Sequence, residues 1–117
     1  MGTSRRLKEL NPEIQVISFQ PDSPFHGLEG LKHMESAIVP GIYDPTIADQ
    51  TYEIETETAQ DYTRKLGKLE GLLVGVSAGA ALACALKVAA SIDSGSIVTI
   101  FPDAGDKYLS ERFWDEK

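Results

Sequence analysis

The stretch "GLLVGVSAGAALACALKVAA", residues 71–90, decides how this chain is read. Leu72-Leu73-Val74 is a short apolar run, Gly75-Val76-Ser77-Ala78-Gly79 a tight, unbulky passage, and the remainder carries the small and apolar residues of a packed helix. A buried strand that feeds a helix through glycine is half of a βαβ unit. Ser77, in this setting, has three possible uses: a hydrolytic nucleophile, a hydroxyl that holds a ligand, or the N-cap of the helix.

Working outward, the same alternation continues on both sides. Thr3 or Ser4 can cap a helix that runs to about Leu10 and stops at Asn11-Pro12. Ile14-Gln15-Val16-Ile17-Ser18-Phe19 is β-branched and aromatic, and Pro21-Asp22-Ser23-Pro24 ends it. Residues 25–49, punctuated by Gly27, Gly30, Pro40, Gly41 and Pro45, read as a long functional loop with a weak helical interval near residues 31–37. Tyr52 and Ile54 alternate with polar neighbours as in a half-exposed strand. Thr56 then caps a helix with Ala59, Tyr62, Leu66 and Leu69 on one stripe, ended by Glu70-Gly71. The helix that contains Ser77 extends to Ile92. Ile97-Val98-Thr99-Ile100-Phe101 reads as a buried strand, and a last helix starts near Asp106. The expected fold class is therefore α/β: three layers, α/β/α, around a mostly parallel sheet, within a single domain spanning 1–117.

Composition narrows the function. The 117 residues carry 18 acidic and 11 basic side chains, a net charge of −7 that opposes nucleic acid and anionic membrane surfaces. The cluster Arg5-Arg6-Lys8 sits beside Glu9 and reads as a solvated helix face. Cys84 is the one cysteine, so no internal disulfide can form; with no signal-peptide pattern and no membrane span, the expectation is a cytoplasmic protein.

The hydrolase use of Ser77 fails on its base. The nucleophile-elbow order places the histidine after the serine, whereas His26 and His33 both precede it. His26, Glu29 and His33 do not match a defined metal spacing. Cys84, among alanine and leucine, reads as a small core residue. Asp103-Ala104-Gly105-Asp106 follows a strand and lies where open parallel sheets commonly bind ligands, although on pattern alone a turn and a cap for the last helix account better for its residues.

"LEGLLVGVSAGAALACALKVA" followed by "IVTIFPDAGDKYLS" resembles the C-terminal part of cysteine synthases (O-acetylserine sulfhydrylases), pyridoxal-phosphate enzymes of fold type II. Upstream, "SRRLKELNPEIQVISFQPDSP" and "GLEGLKHMESAIVPGIYDPTIAD" continue the resemblance in order, closest to the B-type branch. The resemblance implies a fragment of that larger architecture, with pyridoxal phosphate as cofactor of the intact parent. It implies that Ser77 meets the pyridine nitrogen, that Gly75, Pro102 and Asp103 line the ring side, and that Gly30 lies in the loop facing substrate. It further implies an amino-acid substrate, sulfide as co-substrate, and a homo-oligomer. The family's Schiff-base lysine has no counterpart among the lysines here, so the chain on its own is expected to be inactive. A rival expectation is a non-catalytic module that self-associates through uncovered apolar surface.

Overall fold

The computed structural model describes residues 1–22, 41–109 and 112–115. Gly30, His26 and His33 lie outside the described residues.

Helix α1 spans Gly2–Leu10, with Met1 rather than Thr3 or Ser4 at its N-cap; Asn11, in extended conformation, stops it. Strands β1 (Ile17–Pro21) and β2 (Gln50–Ile54) pair in parallel, in a register that runs from Ile17 opposite Gln50 to Pro21 opposite Ile54. Alternation divides the sheet into two faces. Ile17, Phe19, Tyr52 and Ile54 join one apolar cluster. On the other face Ser18 and Thr51 share a 2.7 Å hydroxyl hydrogen bond. The first strand thus begins later than its β-branched run suggests and takes in Pro21. Residues 14–16 are drawn off by local bonds instead: the Ile14 amide to the Asn11 carbonyl, and the Val16 amide to an Asp49 carboxylate oxygen at 2.7 Å. Pro21 is tolerated because it ends the strand; the next donor is the Asp22 amide, bonding the Ile54 carbonyl.

Helix α2 (Thr56–Lys65) starts after Glu55, so Thr56 is its first residue and not its cap. Its buried stripe is Ala59 and Thr63, followed by Leu66; Leu69, expected on that stripe, points to solvent. The cause is a wide π turn over Leu66–Glu70, which rotates the following side chains off the helical face before Gly71 closes it at φ 70°. Helix α3 (Val76–Ala90) lies against α2, its extensive partner, and also touches β2. Ile54, Ala59, Val76, Ala80, Ala83 and Cys84 form the core between them, with Tyr62 and Trp114 at its margin. A second cluster of Leu66, Val74 and Ala78 is flanked by Leu82 and Phe101.

The helix pair is tight because of Gly79. A Cβ there would run into Thr63 Oγ1 and the Ala59 carbonyl, so the missing side chain allows α3 to seat on α2. Thr63 is fully buried, yet its hydroxyl donates to the Ala59 carbonyl at 2.7 Å, which removes the cost of hiding it.

The α/β class and the parallel pairing agree with the sequence. Two expected strands do not form as ladders. Of Leu72-Leu73-Val74, only Val74 makes a bridge, antiparallel to Ala104. Residues 97–101, expected as a buried strand, carry no bridge to any described residue, and Ile97, Val98 and Ile100 are exposed. A strand needs neighbours for its amides and cover for its side chains, and none of the described residues supplies them here. The last expected helix is two 3-10 turns, Gly105–Tyr108 and Arg112–Asp115.

Candidate functional site

Residues 73–75 and 103–105 run side by side, held by two backbone hydrogen bonds around the Val74–Ala104 bridge. The Gly75 amide donates to the Asp103 carbonyl at 3.1 Å and the Gly105 amide to the Leu73 carbonyl at 3.0 Å. Gly105 permits this approach, since a Cβ on it would sit 2.7 Å from the Val74 carbonyl oxygen and about as close to the Leu73 side chain. Sequence reasoning passed over Gly105, whose signal, glycine two residues after a loop aspartate, is too common to stand out.

This clamp fixes where α3 begins. Gly75 is held extended at φ −77°, ψ 168° and serves as the N-cap, its carbonyl accepting from Ala78 and Gly79. Ser77 is therefore the second residue of the helix, and no side-chain cap bond is made. The expectation that Ser77 caps the helix is overturned: Gly75 already occupies the extended position that a cap requires. The correction leaves the Ser77 hydroxyl uncommitted to its own helix start, half-buried, on a first turn otherwise built of Val76, Ala78 and Gly79.

The structure thus brings Gly75 and Asp103 into direct contact and sets Ser77 two residues beyond. Asp103 is half-buried, with its Oδ1 turned inward, and Pro102 is exposed beside it. Cys84, seven residues after Ser77 on α3, is buried, and loss of water around it pushes its thiol pKa up, Lys87 opposing weakly. A thiol so placed is protonated and inert near neutral pH. Among the described residues no group of acidic, histidine or cysteine side chains could hold a metal ion. Nor is any helix among them long and apolar enough to cross a membrane.

The donor set suits the nitrogen edge of a flat heteroaromatic ring. It offers one neutral hydroxyl that can donate or accept, on a helix start whose cap residue is a glycine. The nitrogen of the pyridine ring in pyridoxal phosphate has that requirement, and the chemistry of the Ser77 hydroxyl is compatible with it.

Comparison with known proteins identifies the family. The family model for "Pyridoxal-phosphate dependent enzyme" matches residues 1–103. A cysteine synthase of Aquifex aeolicus is 50% identical over the whole chain, which covers 37% of that relative. An O-acetylserine dependent cystathionine beta-synthase of Bacillus subtilis is 35% identical over 97% of the chain and 39% of its own length. The crystal structure of a cysteine synthase from Entamoeba histolytica superposes with a TM-score of 0.89 at 29% identity, covering 99% of this chain and 37% of that one. The chain therefore spans well under half the length of the relatives it matches. On the match over residues 1–103, with the Ser77 turn at the helix start inside it, the chain belongs to the pyridoxal-phosphate dependent enzyme family.

Proposed function

We propose that this chain carries the ring-nitrogen side of the cofactor site of a cysteine synthase, whose complete form exchanges the acetate of O-acetylserine for sulfide to give cysteine. What supports this reading most is the 50% identity to a cysteine synthase along the whole chain, with the Ser77 hydroxyl, which makes no cap bond, inside the matched region. Pyridoxal phosphate, when bound, supplies the electron sink that lets the β-substituent leave. Ser77 Oγ would hold the pyridine nitrogen through a neutral hydrogen bond. A hydroxyl does not force a proton onto that nitrogen as a carboxylate would, which moderates the sink and suits replacement at the β-carbon. Gly75 and the clamp at Asp103 keep the Ser77 turn in place, and Pro102 and Asp103 line the ring side.

A second reading keeps the first half of the reaction and changes the nucleophile from sulfide to a homocysteine thiol, because the Bacillus subtilis relative bears a cystathionine-forming name. The remaining parts of the proposal are a homo-oligomeric enzyme, no nucleic-acid or membrane partner, and a cytoplasmic location where the single thiol stays reduced.

The test joins this chain to the part of the Aquifex aeolicus relative that lies outside the match. With pyridoxal phosphate, O-acetylserine and sulfide, the joined enzyme is expected to form cysteine, and the chain alone to give no more than the cofactor-only control. Ser77→Ala should lower kcat by roughly 10-fold, the equivalent of one hydrogen bond, and Ser77→Asp should change the absorption of the bound cofactor. Absence of cysteine from a cofactor-loaded joined enzyme would sink the reading, and a preference for homocysteine over sulfide would favour the second.

A further inference from the structure

Gly105 is buried, and its backbone does not demand glycine, since its φ lies outside the left-handed region. What demands glycine is space. A Cβ there would lie 2.7 Å from the Val74 carbonyl oxygen and 3.0 and 3.1 Å from Leu73 Cγ and Cδ1. The Leu73 side chain is exposed and can swing aside. The Val74 carbonyl cannot move alone, because it shares one planar peptide unit with the Gly75 amide. That amide is the donor to the Asp103 carbonyl, and Gly75 is the N-cap of α3. Pressure on the carbonyl therefore tilts the peptide from which the Ser77 turn starts. Further along, α3 has no freedom to follow, since Gly79 seats it directly on the Ala59 carbonyl and Thr63 of α2. A displacement begun at Gly105 is taken up between these two contacts, and Ser77 lies between them.

We infer that Gly105 is a positioning residue for the Ser77 hydroxyl, acting through the peptide unit between Val74 and Gly75. Its missing side chain lets residues 103–105 lie against 73–75 closely enough to hold Gly75 extended, and that fixes where the hydroxyl two residues later is offered. Gly105 touches neither cofactor nor substrate in this account, and it lies beyond the residues 1–103 that the family model matches. The inference rests on the reading of Ser77 as partner of the ring nitrogen, and deepens it by naming what holds that hydroxyl in place.

The experiment uses the joined enzyme loaded with pyridoxal phosphate. Gly105→Ala should change the absorption of the bound cofactor in the same direction as Ser77→Ala and lower kcat by up to the same factor, roughly 10-fold. Gly67→Ala, whose Cβ would meet nothing nearer than the Leu72 carbonyl at 4.0 Å, should change neither. The double variant separates the routes: acting through Ser77, Gly105→Ala adds less than about 2-fold to the kcat loss of Ser77→Ala, whereas independent losses multiply. Multiplied losses would overturn the inference. So would a Gly105→Ala enzyme with a lowered melting temperature and unaltered absorption, the result of a merely structural role. If Gly105→Ala does not fold, the unaltered enzyme decides. A contact that serves cofactor binding is stabilised by the cofactor in return, so the Gly75 and Gly105 amides should exchange hydrogen about 10-fold more slowly with cofactor than without, relative to the ladder amides of β1 and β2. No relative change would again overturn the inference. Unchanged absorption in Ser77→Ala would remove the reading of Ser77 and the inference with it. Absorption changes in both variants without cysteine formation would support the inference and remove only the proposed reaction.

Discussion

The two carboxylate oxygens of Asp49 each lie 2.8 Å from Lys8 Nζ, and one also accepts the Val16 amide at 2.7 Å, so a single loop residue ties the end of α1 to the approach of β1. The hydrogen bond from Lys8, then that from Val16, holds the Asp49 pKa below the ordinary carboxylate value of about 3.9. A lowered folded-state pKa means that the contribution is complete above that unfolded value and disappears as pH falls through the folded one. Urea midpoints of the parent chain and of Asp49→Ala should therefore differ at pH 7 and converge on acidification. A difference that persists at pH 2 would count against the assignment. Since the group is solvent-exposed, added salt should shrink the Lys8 part of the effect and leave the Val16 bond. None of this was legible in sequence, where Asp49 is one acidic residue of a loop, 41 positions from its lysine. The burial of Cys84 was legible, because the residues around it from Ala80 to Leu86 are all small or apolar.

Helices α2 and α3 show how far local pattern reaches. Their existence follows from residue periodicity, but each start was misplaced by one or two residues, at Thr56 and at Ser77, for a shared reason. Hydroxyl side chains are good caps in isolation, and only the neighbouring chain reveals which residue is held extended. At α3 that neighbour is the 103–105 segment, whose bonds to Leu73 and Gly75 set the extended cap residue before Ser77 is reached. The contact between the helices depends on Gly79. Gly79→Ala forces a methyl group onto Thr63 Oγ1 and the Ala59 carbonyl and should cost about 3 kcal/mol or more, the upper range for overpacking. Adding Thr63→Ala should recover only part of that loss, since the Ala59 carbonyl belongs to the backbone and stays. Thermal or urea unfolding of the two variants checks both statements, and full recovery in the double variant would show that the side chain alone was the obstacle.

At the scale of the molecule, the described apolar residues form a core around α2, α3 and the two-stranded sheet, while others are exposed, with Leu72, Leu73, Ile97, Val98 and Ile100 among them. The chain alone should accordingly bind a hydrophobic dye under native conditions. Val98→Asp combined with Ile100→Asp should at least halve the dye fluorescence while leaving the far-ultraviolet circular dichroism unchanged, because both side chains already face water. An unaltered dye signal would place the sticky surface elsewhere. The sequence by itself determined the alternation of strands and helices, the α/β class, the small residues around Ser77 and the family they resemble, since these depend on residue type and on spacing within a few turns. Tertiary structure alone decided that Gly75 and not Ser77 caps α3, that Thr63 and Gly79 set the distance between helices, and that residues 97–100 find neither ladder nor cover among the described residues. Each of those outcomes depends on which backbone amide or carbonyl arrives from a distant part of the chain, and a one-dimensional pattern of hydrophobicity and propensity carries no record of that arrival.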